Sequence, residues 1–469
     1  MLTEIIKNKQ IFALLLIYAL IATFIIFFFD GTGDSGDSVH HYQFAKFAPL
    51  HPELFFNHWA KPVYVLLACP FAQFGFIGVK IFNTIVTLLT IFFTFKITQK
   101  LNISNAIIGS IIFIFSPLCF VLTFSGLTEP LFALFISIGL YALLVEKPLI
   151  SCLLISFLPF VRSEGLIIIG VFSLYFFLKR KWKLIPLLLF GHVIYSIAGF
   201  FVFKDFFWVF NKIPYAHLSS IYGNGELSHF VEQLFYVIGA PNYILFWVGV
   251  IIIIWKSIKN KITIEVQTFV FLGFFSFFIA HSLFWYLGIF NSMGLKRVLI
   301  AVCPLMAIIS LIGFNFLTNE IFINKRILKI TSQCLLLVYI LIFPFTDNPA
   351  AINWKIELNL SKDQQSALLI ADFIAKNRDT NQCFVFSYPY LSEALKIDHF
   401  DNQKRVQLNN SFMNNIKRGD FVIWENWFAE VENGVTKDFL DNNTALINLY
   451  NLRSWDRGRE ILYSVYKRK

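Results

Sequence analysis

The stretch DGTGDSGDSVHHYQFAKFAPLHPELFFNHWAKP, residues 30–62, is polar, acidic and His-rich, yet it lies between apolar runs of membrane-span length. Carboxylates at a bilayer surface are costly to place and commonly serve chemistry. Asp34 and Asp37 follow the apolar run 11–29 directly, inside GDSGDS. Gly, Ser and Asp also make plain solvated turns. The remainder of the chain must decide between the two readings.

Composition sets the class. The 469 residues are 57% hydrophobic and 14% charged, with mean hydropathy +0.66, against about 25% charged in soluble domains. Apolar runs of roughly 17–25 residues read as spans. They lie near 11–29, 77–95, 104–122, 130–145, 149–161, 165–178, 185–203, 236–255, 266–288, 298–318 and 327–345, about eleven in all, of which 130–145, 149–161 and 165–178 are short for full crossings. Residues 62–76 read as a juxtamembrane or re-entrant helix, set off by Gly75 and Gly78. The expected fold class is an all-α polytopic membrane domain over residues 1–345, followed by a small soluble α/β domain over 346–469. In that second part LLIADFIAK (368–376) reads as a helix. CFVFS (383–387), DFVIW (420–424) and ILYSVY (461–466) read as strands.

Charge orients the chain. With the N-terminus cytoplasmic, the inner loops carry 15 Lys and Arg and the outer segments before residue 346 carry 8. This follows the positive-inside rule and puts the C-terminal domain outside, with the protein multi-pass in the inner (plasma) membrane. Residues 346–469 hold 16 basic and 16 acidic residues, so the net +10 belongs to the membrane part. It reports topology and gives no ground for a nucleic-acid partner. Residues 1–29 read as a retained first helix. The six Cys contain no CxxC, so neither a disulfide framework nor a Cys metal site is expected.

The order of polar segments carries a resemblance. An acid after the first helix is followed by Tyr42 and Ala45, then by an apolar run led by Lys61–Pro62 and ending at Phe74–Gly75. SGLTEPLFAL (125–134), FVRSEGLI (160–167) and GLKRVLIAVCPLMA (294–307) come next. This set resembles the GT-C glycosyltransferase superfamily, which includes protein O-mannosyltransferases and the aminoarabinose transferases of lipid A. The resemblance implies an enzyme that takes a sugar from a polyprenyl-phosphate donor and gives it to a lipid, glycan or protein acceptor outside the cytoplasm, with inversion. Many members carry a second acid directly after the first; here Asp37 precedes Ser38, so either one carboxylate carries the site or Asp34 supplies the second.

Roles follow from chemistry and from this resemblance. Asp37, with Asp34, is the candidate general base that takes the acceptor proton. Glu129 is a second catalytic carboxylate, although a Glu at a helix start also suits the helix dipole. Lys61, Arg162, Lys296 and Arg297 are outer-face cations for the phosphate, where negative charge grows as the sugar leaves. Lysines at membrane ends also snorkel, and Arg162 with Glu164 also reads as a simple pair. Glu164, His40, His41, Tyr42 and His58 complete the substrate-binding candidates. The His residues and Glu53 offer donor atoms for a divalent metal ion, but their spacing fits no standard structural zinc pattern, and no metal ligand is assigned. Residues 204–233 form a long aromatic loop, either a lid over the acceptor cleft or an interfacial helix. No Walker A or GxGxxG motif is present. The alternative function is a transporter or flippase of a lipid-linked sugar, which would carry mid-bilayer charges and an internal repeat. A further alternative is a membrane scaffold carrying the outer domain.

Overall fold

The computed structural model describes residues 8–323, 325–377 and 382–469. Lys7, counted above among the inner basic residues, lies outside them. Seven described helices are long and apolar enough to cross a membrane: Lys9–Phe28, Phe76–Lys100, Trp182–Phe203, His229–Ile258, Val266–Leu287, Lys296–Glu320 and Arg326–Phe345. Glu129–Leu144, Pro148–Val161 and Gly165–Leu178 are equally apolar but shorter. The run at 104–122 is two helices, Ala106–Ile114 and Pro117–Leu122. The break is at Ser116, whose backbone is extended before Pro117, as expected for a residue preceding proline. Pro62–Ala72 is a separate short helix.

Lys296–Glu320 is the axis of the bundle. Its most apolar window is wholly buried, and it packs closely on His229–Ile258. At this crossing a Cβ on Gly249 would lie 2.0 Å from the Ile309 carbonyl oxygen, and one on Gly313 would lie 2.0 Å from that of Leu245. Only glycines permit such backbone approach in a helix pair. Because the central helix begins at Lys296, its second residue, Arg297, enters the middle of one end of the bundle. Cys119 and Cys303 meet in this packing as a disulfide pair, although 184 residues separate them. Their partnership corrects the expectation of none, which rested on local spacing alone.

The C-terminal part is a five-stranded mixed sheet in the order β2-β1-β3-β5-β4. The strands are β1 (Phe384–Phe386), β2 (Arg405–Gln407), β3 (Phe421–Glu425), β4 (Leu446–Asp456) and β5 (Arg459–Arg468). β1 runs parallel to β2 and β3; β5 runs antiparallel to β3 and β4. Helix Lys362–Asn377 lays Ala367, Ile370 and Ile374 on one face against Phe386 and Ile423. Trp424, Val422 and Val385 pack on the other. With both faces covered, β1 and β3 are buried throughout, and this is why they read as continuous apolar runs.

The sheet domain sits on the 30–62 segment. Gly31 N donates to Leu358 O (2.9 Å), Gln364 Nε2 to Thr32 Oγ1 (2.9 Å) and Gln43 Nε2 to Pro389 O (2.8 Å). The Lys46–Glu393 ion pair (3.4 Å) and a hydrogen bond between His51 Nε2 and Asp398 Oδ2 (2.9 Å) extend the contact.

Candidate active site

Helix Asp37–Phe47 begins where the polar segment turns back over the bundle. Asp34 Oδ1 accepts hydrogen bonds from Gly36 N (2.9 Å) and Ser38 N (3.2 Å), so it caps the first turn of that helix. Ser38 Oγ donates to Thr32 O (2.6 Å) and accepts from Gly126 N (2.7 Å), tying the segment to the loop before Glu129. A Cβ on Gly126 would stand 2.3 Å from Ser38 O.

This folding gathers charge from four separate helix ends. Arg297 Nη1 pairs with Asp34 Oδ2 at 2.7 Å, its Nη2 with Asp37 Oδ2, and its Nε lies 3.7 Å from Glu129 Oε1. Arg162 Nη1 takes the same Glu129 oxygen at 2.9 Å, and its Nη2 takes Glu164 Oε1 at 2.8 Å. His281, which sequence reading passes over as an apolar-helix residue, lies 3.7 Å from Glu164. Glu129 is 1% exposed, and its second oxygen is buried without a partner. The Asp37 side chain is 43% exposed. So the cluster has a dry floor at Glu129 and an open mouth at Asp37.

The electrostatics are those of opposed charges at close quarters. Burial pushes the Glu164 carboxyl up, but the charge of Arg162, with that of Lys61 adding to it, prevails and holds it down at about 2. Burial lowers Lys61 to about 8 against the pull of Glu164, Asp37 and Glu129. Lys61 also holds φ +66°, the left-handed region, directly before Pro62. A bulky residue keeps that conformation only where its surroundings enforce it. His41 is kept neutral by burial and by Lys61, with His40, Arg297 and Arg162 adding to the effect. Its ring stacks on Trp59 at 4.9 Å.

Other candidates stand apart from the cluster. Helical phase explains Tyr42: five residues after Asp37 it is turned by about 140°, and it packs edge-on against Phe76. His40 packs on Phe44, Trp59 and His399, towards the sheet domain. His58 bonds Val209 O at 3.0 Å and sits against Trp208; burial and the charge of Lys61 lower it to about 4. Lys296 makes no ion pair with the cluster; its Nζ lies 5.4 Å from the Tyr236 ring centre.

Residues distant in sequence rim the mouth. Tyr215 OH accepts from Trp59 Nε1 at 2.6 Å, and Tyr222 OH donates to Glu432 Oε1 at 3.0 Å. The Tyr222 ring stacks on Trp427 at 6.4 Å. Burial raises both tyrosines; the Asp37 charge adds to it at Tyr215, and at Tyr222 Glu432 adds more than Asp37 does. The 204–233 loop therefore reaches both the 30–62 segment and the sheet domain. Glu432 and Trp427 belong to a turn of the sheet domain that carries no sequence signal for a site.

Among the described residues, no three His, Cys, Asp or Glu side chains come together as a metal set. Between Asp34 and Asp37 stands the Arg297 guanidinium, where a bridging cation would sit.

No family model matches the chain, and no curated protein matches it by sequence. Solved structures match by shape. The crystal structure of ArnT from Cupriavidus metallidurans bound to undecaprenyl phosphate aligns with TM-score 0.61 and 9% identity, over 96% of this chain and 98% of that one. The apo ArnT structure aligns with TM-score 0.62 and 9% identity, over 96% and 97%. This chain thus shares the overall fold of the ArnT structures over nearly its whole length.

Proposed function

We propose that this chain, built on the fold of ArnT, is an integral-membrane glycosyltransferase. It moves a sugar from a polyprenyl-phosphate carrier to a lipid, glycan or protein acceptor on the side of the membrane where its sheet domain lies. The observation that carries this reading is the Asp34–Arg297–Asp37 constellation, with Lys61 and Arg162 within its field, in a fold whose ArnT counterpart was solved with undecaprenyl phosphate.

Asp37 is the base. Its Oδ2 is anchored by Arg297, its Oδ1 has no hydrogen-bond partner among the described residues, and its side chain faces the mouth. The acceptor hydroxyl loses its proton to Asp37 and its oxygen attacks the anomeric carbon. The bond from that carbon to the phosphate oxygen breaks, and the phosphate keeps the electron pair. Lys61 and Arg162 stabilise the growing charge. Attack opposite the leaving group inverts the anomeric centre. Asp34 has both oxygens engaged and is a positioning residue. Glu129, shared by two arginines, sets their planes. The outer-face location and the cytoplasmic N-terminus belong to the same proposal and rest on the basic-residue asymmetry.

The test is transfer from a polyprenyl-phosphate sugar by the purified protein in detergent, with donor binding measured in parallel. Asp37→Asn should lose transfer and keep donor binding; Lys61→Ala should weaken donor binding. Full activity in Asp37→Asn and Asp34→Asn together would discard the mechanism and favour a carrier of lipid-linked sugar.

A further inference from the structure

Arg405 is a largely enclosed cation without a counter-ion. It lies on β2, the edge strand next to β1, and its charge reaches His40 of the 30–62 segment. Nη1 donates to His399 O and Nη2 to Phe386 O, both at 3.3 Å; Nη2 also meets Gln407 Oε1. Its Nε is buried with no hydrogen-bond partner. No carboxylate lies within ion-pair distance of it among the described residues. The acids of the adjoining turn are engaged elsewhere: Asp398 with His51 at 2.9 Å, Asp401 with Lys404 at 3.8 Å. A guanidinium taken out of water without an opposite charge is costly. Burial alone pulls Arg405 down to about 10.

Two imidazoles flank it. The His40 and His399 rings are 4.9 Å apart, and the Arg405 charge helps keep both neutral, after burial as the first cause. His399 Nδ1 shares a hydrogen bond with Ser392 Oγ at 2.8 Å. His40 remains partly open to solvent. A guanidinium with neutral imidazoles is a set of hydrogen-bond donors suited to an oxyanion.

This set adjoins the mouth of the active site. A single indole, that of Trp59, separates it from the cluster: Trp59 touches His40 at 4.7 Å and His41 at 4.9 Å. On the sheet-domain side, Gln407 Nε2 donates to Asn433 Oδ1 at 3.3 Å, and Asn433 follows Glu432 of the rim. Asp37, the exposed carboxylate, and Arg405, a cation with no carboxylate partner that also lies 5.2 Å from the Phe386 ring centre, thus stand on opposite sides of Trp59.

We propose that Arg405, with His40 and His399, is an oxyanion subsite that holds a phosphate or carboxylate carried by the acceptor while the acceptor's hydroxyl reaches Asp37. The assignment rests on the transferase reading above. It narrows the acceptor to molecules with an anionic group set off from the hydroxyl that is glycosylated, whether that group belongs to a lipid headgroup or to a soluble glycan.

The probe is inorganic phosphate, titrated into full-length protein in phosphatidylcholine nanodiscs with ¹⁵N-labelled histidine; the His40 resonance is identified from its loss in His40→Gln. Phosphate should move the His40 and His399 signals saturably. Arg405→Gln should raise the half-saturating concentration about 10-fold or more, the scale of one lost charge-assisted hydrogen bond. Arg405→Lys keeps the charge, should be intermediate, and serves if Arg405→Gln does not fold. Lys61→Ala should leave these shifts in place, which separates this subsite from the donor's. A second arm replaces phosphatidylcholine with phosphatidylglycerol and omits phosphate. Arg405-dependent shifts there identify a lipid headgroup as the source; shifts in the phosphate arm alone identify a soluble one. Shifts that survive in Arg405→Gln, or that vanish in Lys61→Ala, would overturn the subsite. Arg405-dependent binding in a protein that transfers no sugar would retain the anion site and remove the acceptor from it.

Discussion

Asp34 and Asp37 share one guanidinium in different surroundings. Asp34 spends one oxygen on two backbone amides and the other on Arg297, whereas Asp37 keeps an oxygen facing the mouth. Asp37→Asn keeps size and hydrogen-bonding capacity and removes basicity, so the rate of transfer should fall by about 10²–10⁴-fold, the usual contribution of a positioned base. Asp34→Asn should lose less, because an amide oxygen can still cap Gly36 and Ser38. Single-turnover transfer rates for the two variants check this order. Lys61 makes a pH prediction. Its folded-state pKa is lowered to about 8 by burial, so it is charged below that pH and neutral above. The affinity for a polyprenyl phosphate should therefore hold up to about pH 8 and fall above it by up to about tenfold per pH unit. Lys61→Arg should remove the step, because a guanidinium stays charged throughout. Binding isotherms from pH 6.5 to 9.5 measure it, and an unchanged pH dependence in Lys61→Arg would take the lysine out of the phosphate site.

At the scale of elements, the site is an arrangement of helix ends. Asp37 opens the helix Asp37–Phe47, Glu129 opens Glu129–Leu144, and Arg297 is the second residue of the central helix. Acids at helix starts gain from the dipole, so local energetics and site geometry agree for Asp37 and Glu129. Arg297 stands at the wrong end for its charge, and two aspartates and Glu129 offset it. What brings the ends into register is close backbone approach, above all of Gly126 to Ser38. Gly126→Ala would force a Cβ to within 2.3 Å of a carbonyl oxygen. That overpacking should cost about 1–3 kcal/mol and part the Asp37 loop from the Glu129 helix. A lowered thermal midpoint with transfer reduced at least as much as in Asp34→Asn is the expected result. Wild-type activity would mean that the loops need not touch. The short helices had a clear signature, since apolar runs of 13–16 residues fall below a full crossing. Two strands did not. β2 is only three residues long, and β4 is a largely exposed edge strand that mixes apolar and polar residues, so neither shows a continuous apolar run.

For the whole molecule, the membrane bundle and the sheet domain meet on residues 30–62, and the cleft belongs to both. The path of the chain places the sheet domain, the 204–233 loop and the ion cluster at one end of the bundle, and the Trp182–Leu184 turn at the other. Reporter fusions after residues 183 and 346 should therefore report opposite compartments, with the second outside the cytoplasm. Two cytoplasmic readings would reverse the active face. Amino-acid sequence alone determined the class and the list of charged groups at the ends of apolar runs, because burying polar backbone and charge in lipid is so costly that hydropathy leaves little choice; of the eleven runs it offered, seven correspond to described helices of crossing length. It also brought Asp34, Asp37, Glu129, Arg162, Glu164 and Arg297 under suspicion, since each is an ionisable group that a bilayer end tolerates only when paired or used. Tertiary structure alone decided which of them meet. Helical phase turned Tyr42 away from Asp37, and the central position of Lys296–Glu320 carried Arg297 into the cluster while Lys296 stayed outside it. The Tyr222–Glu432 bond and the approach of Arg405 to His40 join residues more than two hundred positions apart. Such contacts arise from how the sheet domain docks on the bundle, a long-range packing that no local pattern of residues records.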